Sequence, residues 1–163
     1  IHNQDGLRDG NLVLLDIGAR VDGYAADITR TYAKGKPTER QKAVHAAVES
    51  AHQEIITLLK PGLSILEYQE KVDEIMESKL DSLGLLKTLE NYRKYFPHAI
   101  SHGLGIDVHD ALGRPDTFQP GMVLTVEPGI YIPEEGIGVR IEDDILITKT
   151  GHKNLSAALP TSL

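Results

Sequence analysis

The chain has 163 residues, 40% of them hydrophobic and 25% charged, with a formal net charge of −7 from 24 acids and 17 bases. This is ordinary globular composition at a length suited to one domain with a real core, which excludes disordered and fibrous classes. The acidic balance gives nucleic acid no electrostatic footing, the absence of cysteine leaves any metal to oxygen and imidazole ligands, and no apolar run approaches the roughly 20 residues that span a bilayer.

The expectation is a soluble, cytoplasmic protein with neither nucleic acid nor membrane as partner. The first residue is Ile1 rather than Met, and residues 1–10 hold little that forms an element, so the chain reads as a piece of a longer product.

After the turn signal at Arg8-Asp9-Gly10-Asn11, Leu12 to Ile17 is a short apolar run of the kind a buried strand shows, interrupted by Asp16. A connection through Asp22-Gly23 leads to a second predicted strand, Tyr24 to Tyr32, which carries Asp27. Burying an ionised carboxylate costs several kcal/mol (about 3–5) unless it is paired or bound to a cation, and Arg20 and Arg30 are the nearby pairing candidates.

Thr38 with Gln41 forms a capping-box pattern that starts a helix, whose apolar face is Val44, Ala47, Val48, Ala51, Ile55 and Leu58 and whose stop is Lys60-Pro61-Gly62. Ser64 with Glu67 starts a second helix with a stripe at Val72, Ile75, Met76 and Leu83 before Gly84. His45, Glu49 and His52 fall at i, i+4 and i+7 on the first helix and could face one ion, but they flank the apolar stripe and read as a solvated edge.

Leu85 to Tyr95 is ambiguous between helix and loop. Next comes HAISHGLGIDVHD, which sets His98, His102 and His109 within thirteen residues among small, flexible ones. Short His clusters bind metal only when other ligands converge from elsewhere. Beyond turns at Gly113 to Asp116 and Gln119 to Gly121, Met122 to Glu127 reads as a strand ended by Pro128-Gly129. Ile130 to Ile132 continues the sheet, Pro133 to Gly136 turns, and Gly138 to Glu142 and Ile145 to Thr148 are strands, with a hairpin tip or terminal turn at Lys149 to Gly151. The order is ββ, αα, loop, ββ in one domain.

Asp16, Asp27, Glu127 and Glu142, with one loop histidine, make four carboxylates and an imidazole. Brought together uncompensated, such acids repel and take up protons; two divalent cations would neutralise them.

The segments LLDIGARVDGYAADITRTY, SHGLGIDVHD, LTVEPGIY and GVRIEDD, in that order over nearly the whole chain, resemble the aminopeptidase P and prolidase branch of the pita-bread metallopeptidases. The resemblance implies an α+β fold in which a curved antiparallel sheet carries helices on its outer face, with residues 1–163 as a partial catalytic domain whose first helix pair and N-terminal domain are missing. It implies two divalent ions, manganese first, with cobalt or zinc as alternatives. Asp16 would chelate one ion, His102 and Glu127 would hold the other, and Asp27 and Glu142 would bridge.

The implied reaction is hydrolysis of the bond between an N-terminal residue and proline through a metal-bridging hydroxide. Glu127 would also move the proton, His98 and His109 would line the pocket and stabilise the oxyanion, and Arg140 would hold the carboxylate cluster. His2 and Tyr131 would lie beside the substrate, a peptide with proline in second position. Prolidase activity on dipeptides and a catalytically silent binding module on the same fold are the alternatives; methionine aminopeptidase matches less well in the DVHD and EDD contexts. The missing helices would leave an apolar sheet face uncovered and favour a homo-oligomer.

Overall fold

The computed structural model describes residues 6–86, 90–113 and 115–163. The element order is β1 (Leu12–Ile17), β2 (Arg20–Val21), β3 (Tyr24–Ala25), β4 (Ile28–Ala33), α1 (Glu39–Leu58), α2 (Ile65–Ser82), α3 (Glu90–Tyr95), β5 (Val123–Val126), β6 (Gly129–Ile132), a single 3-10 turn at Pro133–Glu135, β7 (Ile137–Arg140), β8 (Asp143–Ile147) and β9 (His152–Asn154).

Local chemistry explains the helices. Thr38 Oγ1 accepts from the Gln41 N–H at 3.1 Å and Gln41 Oε1 accepts from the Thr38 N–H at 2.8 Å, so the predicted capping box closes in both directions. Gln41 also donates to the Gly10 carbonyl at 2.8 Å, which fixes the start of α1 against the entry to β1. Val44, Val48, Ala51 and Ile55 are completely buried, as the periodicity predicts. On α2 the Ser64 half of the box forms, and the buried stripe is Tyr68, Val72, Met76 and Leu80. The ambiguous stretch before the histidines contains α3.

α1 lies across β5, β6 and β7, α2 packs on α1, and α3 reaches β6 and α2. All described strand pairs are antiparallel, in the ladders β1-β4, β2-β3, β5-β8-β9 and β6-β7. Two backbone bonds stitch ladders together: Glu142 N–H to Thr29 carbonyl at 3.0 Å, and Ile141 N–H to Pro128 carbonyl at 3.3 Å. The helices therefore cover one side of the sheet system, as expected, while the other side is left for polar groups.

Three predicted strands differ in extent. Tyr24 to Tyr32 is broken into β3 and β4 because Asp27 leaves the ladder, its N–H going to Asp144 Oδ2 at 3.3 Å. The strand after Gly136 ends at Arg140, so Glu142 sits at the corner between β7 and β8, and Asp143 and Asp144 belong to β8. Beyond the hairpin tip, His152–Asn154 adds a ninth strand, β9, paired to β8 and not foreseen from the sequence.

The β1-β4 ladder has two unlike faces. Asp16 stands opposite Thr29, and Leu14 opposite Thr31, on the face toward β7; Leu15, Ile17, Ile28 and Tyr32 share the other with Arg30. On that outer face Ile17 is 61% and Leu15 41% exposed, while Arg30 is 5% exposed.

Candidate metal centre

Every predicted metal-ligating position within the described residues comes to one place, where the ladders exchange partners. Asp16 is in β1, Asp27 immediately precedes β4, Glu127 immediately follows β5, and Glu142 occupies the β7-β8 corner. Only Asp16 lies within a strand; the other three acids stand at ends and corners, where the backbone turns away and leaves room for side chains to converge.

The His-rich stretch is placed by β5. Leu104 N–H bonds the Val123 carbonyl at 3.0 Å, Thr125 N–H the His102 carbonyl at 3.0 Å, and Glu127 N–H the Ile100 carbonyl at 2.9 Å. Residues 100–104 thus run antiparallel along β5, and His102 cannot slip relative to Glu127. Gly103 is required here because a Cβ would collide with the Asp110 carbonyl oxygen and the Leu112 side chain. Asp110 closes the loop, accepting from the Ile106 N–H at 3.0 Å.

His102 is oriented by its own backbone. Its Nδ1 lies 3.0 Å from the Gly103 carbonyl, an acceptor, so Nδ1 carries the proton and the Nε2 lone pair points elsewhere. It points at acids: Nε2 is 3.6 Å from Asp27 Oδ2, 3.6 Å from Glu127 Oε1 and 4.0 Å from Glu142 Oε1. A carbonyl-anchored imidazole with a free Nε2 is the arrangement metal-ligating histidines adopt.

Donor atoms of His102, Glu127 and Glu142 lie within 4.8 Å of one another, as do those of Asp16, Asp27 and Glu142. Glu142 belongs to both groups. A third group, Asp27 with His102 and His109, overlaps them. The set consists of carboxylate oxygens and imidazole nitrogen, which suits divalent ions such as manganese or zinc.

Without cations these acids are in an unfavourable place. Burial, with the Glu127 and Asp27 carboxylates adding to it, pushes Glu142 up to about 8 even though it accepts from Thr29 Oγ1 at 2.5 Å. Burial and then the Asp16 carboxylate raise Asp27, and burial pushes neighbouring Asp144 up to about 6. Asp144 Oδ1 is buried with no hydrogen-bond partner among the described residues. Buried, crowded carboxylates held above their ordinary range are what a cation site becomes when its charge is uncompensated.

Arg140 supports the cluster from one side. It bonds Asp16 Oδ2, donates from Nε to Thr29 Oγ1 at 3.1 Å and from Nη1 to Tyr131 Oη at 2.9 Å, and lies 3.9 Å from Glu142 Oε2. Tyr131 in turn meets His98 Nε2 at 2.9 Å, while His98 Nδ1 is 2.8 Å from the Ala99 carbonyl. The polarity follows: Arg140 donates to the phenol oxygen, the phenol donates to Nε2, and Nδ1–H donates to Ala99. Burial, opposed by the Arg140 bond, holds the Tyr131 phenol above its ordinary value and so keeps that donor protonated. Tyr131 therefore does more than pack.

His109 is exposed, its ring centroid 4.1 Å from that of His102, and with Val108 it lines a cavity of about 470 Å³ beside Asp16 and Asp27. His2 lies outside the described residues. Neither pairing candidate from the sequence meets these acids: Asp16 pairs with Arg140, and Arg30 pairs with Asp143.

Three supporting residues escaped sequence reasoning. Thr29 Oγ1 bridges Glu142 and Arg140; Thr125 Oγ1 accepts from the His102 N–H at 3.1 Å and donates to Glu127 Oε1 at 3.3 Å; Asp144 holds the Asp27 backbone. The available signal was period two: Thr29 follows Asp27 and Thr125 precedes Glu127 by two residues, hence on the same side of an extended chain. Thr29→Val removes the hydroxyl with little change of shape, leaving Glu142 Oε2 and Arg140 Nε short of a partner. The expected loss in metal-free stability is about 1–3 kcal/mol by denaturant unfolding; no loss would mean that water replaces the hydroxyl.

The model of metallopeptidase family M24 matches residues 1–149. The chain belongs to that family. Among curated M24 relatives, Xaa-Pro aminopeptidase of Escherichia coli K12 is 45% identical over 177 residues, covering 96% of this chain and 40% of the relative. Human Xaa-Pro aminopeptidase 3 is 38% identical over 181 residues, covering all of this chain and 36% of the relative. Among solved structures, proline aminopeptidase P II from Yersinia pestis aligns with a TM-score of 0.87 at 46% identity, covering 96% of this chain and 41% of that one. Aminopeptidase P from E. coli with the inhibitor Pro-Leu aligns at 0.88 and 44% identity, covering 96% and 40%. The fold is the α+β pita-bread fold of this M24 branch, and the chain spans about 40% of the length of these relatives.

Proposed function

We propose that this chain carries the catalytic metal centre of an Xaa-Pro aminopeptidase, with His102 and Glu127 on one ion, Asp16 on the other, and Asp27 and Glu142 shared between them. The observation that carries the reading is the placement of Glu142 in two overlapping donor groups, one closed by His102 with Glu127 and the other by Asp16 with Asp27. When bound, two divalent ions, manganese by preference, supply a water of lowered pKa and Lewis-acid polarisation of the scissile carbonyl.

The chain's own residues do the rest. Glu127 Oε2 lies 3.8 Å from His98 Nδ1, and its other oxygen faces His102, so one carboxylate reaches both the ligand cluster and the pocket wall. It accepts the proton of the attacking water and returns it to the leaving nitrogen, which in an Xaa-Pro bond has no hydrogen of its own. His98, held by Tyr131 and the Ala99 carbonyl, orients the peptide as part of the pocket wall, and His109, at the cavity mouth, donates to the oxygen that gains charge.

Incubation of the manganese-loaded chain with Xaa-Pro-Xaa and Xaa-Ala-Xaa peptides tests the reading, and the proline peptide alone should be cleaved. Equal cleavage of both removes the proline preference, and confinement of activity to Xaa-Pro dipeptides would favour prolidase. Two tightly bound ions with no turnover of any peptide would favour a silent binding module.

Self-association is part of the same reading, since Leu15 and Ile17 present apolar surface to solvent. Sedimentation should show the chain as an oligomer that Ile17→Asp shifts toward monomer; a monomeric parent chain contradicts this.

A further inference from the structure

Arg30 is 5% exposed, and all five of its N–H donors are used. Nη1 donates to the carbonyls of Thr29 at 2.9 Å and Glu142 at 2.7 Å. Nη2 donates to Asp143 Oδ1 at 2.6 Å and the Leu159 carbonyl at 3.1 Å, and Nε to the Pro160 carbonyl at 3.0 Å. One planar group thus joins β4, the β7-β8 corner that carries Glu142, and the C-terminal segment.

That segment is gripped from its other side by α1. Glu49 bonds Thr161 Oγ1, and His52 lies 3.4 Å from Asp143 Oδ2, which also accepts from Asn154 at 2.6 Å. The His45, Glu49, His52 row, which sequence periodicity assigns to a solvated edge or a weak ion site, is covered instead: His45 is 4% and His52 3% exposed.

We infer that Arg30 is a positioning residue for Glu142, and that the Leu159–Thr161 segment is a strap that holds Arg30 in its working orientation. The inference rests on the proposed reading of Glu142 as a ligand shared by two ions. A rigid fork fixes the angle between β4 and the Glu142 backbone in a way that a lysine ammonium cannot. Two of its five donors end on the strap, so loss of the strap opens those two N–H groups to water and leaves the guanidinium held on one side only, free to turn away from the corner. Because Glu142 serves both donor groups, a displaced corner weakens both ions together.

Manganese titration calorimetry on the full chain, Arg30→Lys and a form ending at Ala158 tests this, with circular dichroism to establish folding and metal-free melting as the structural control. Arg30→Lys should weaken both ions together by about 10–100-fold, as loss of groups that orient ligands does, and the shortened form should weaken both in the same sense. Folded variants that bind both ions as tightly as the parent while melting lower reduce Arg30 and the strap to structural roles and overturn the inference. Should Arg30→Lys fail to fold, the shortened form decides alone. A parent chain that binds no manganese overturns the metal reading and the inference with it; a parent that binds two ions beside unaffected variants overturns the inference only.

Discussion

Glu127→Gln should lower turnover of an Xaa-Pro peptide by about 10²–10⁴-fold while the protein stays folded and keeps its metal. The substitution is nearly isosteric, and the backbone around it is independently fixed, because the Glu127 N–H is bonded to the Ile100 carbonyl. An amide oxygen can still coordinate a cation, yet it cannot take up a proton at neutral pH. Loss of turnover with metal content preserved therefore separates proton transfer from ligation. Activity within a few-fold of the parent, with two ions still bound, would move proton transfer from Glu127 to another group.

Stripped of metal, the protein should lose stability as pH rises, opposite in sign to ordinary acid denaturation. Glu142, Asp27 and Asp144 are all held above their unfolded values by burial first, with neighbouring carboxylates adding to the shift. Between the unfolded carboxylate range, at about 4, and the folded value of Glu142, at about 8, the folded state binds more protons than the unfolded one, so unfolding free energy falls with increasing pH. The penalty is absent below the unfolded range and complete above the folded values. Between pH 5 and 8 the melting temperature of the chelated protein should drop by on the order of 10 °C, and saturating manganese should largely restore it. A metal-free protein that melts equally at both ends of this range would show that the acids do not share one low-dielectric site.

Much of the fold can be read from local sequence where local rules suffice. The Thr38-Gln41 box and the Val44-Val48-Ala51-Ile55 face form as their patterns dictate, whereas the first strand forms at Leu12–Ile17 but is half-exposed rather than buried, Leu15 and Ile17 facing solvent. The acids and His102 also converge, but their positions relative to the strands do not follow from apolar runs. A run such as Gly138 to Glu142 does not reveal that its ladder stops at Arg140, because the stop is caused by Glu142 N–H bonding the Thr29 carbonyl, more than a hundred residues away in sequence. The break at Asp27 has the same origin in Asp144.

The histidines of α1 illustrate the opposite error. His45 and His52 sit at the edge of an apolar stripe, where helical periodicity alone gives them to water. Their surroundings are tertiary, with Asp143 of β8 3.4 Å from His52 and Thr161 of the strap bonded to Glu49 between them, and no helix pattern contains that information. Likewise, Arg30 falls near Asp27 in sequence, but alternation along β4 turns it to the face away from Thr29, toward Asp143 and the Leu159–Thr161 strap.

The most direct measurement is the manganese stoichiometry of the metal-free chain, taken by titration beside Glu142→Ala. Two ions should bind the parent, and both should weaken in Glu142→Ala, because that carboxylate closes both donor groups. A parent that takes up one ion or none, or a Glu142→Ala chain that binds two ions as tightly as before, would contradict a shared two-ion centre.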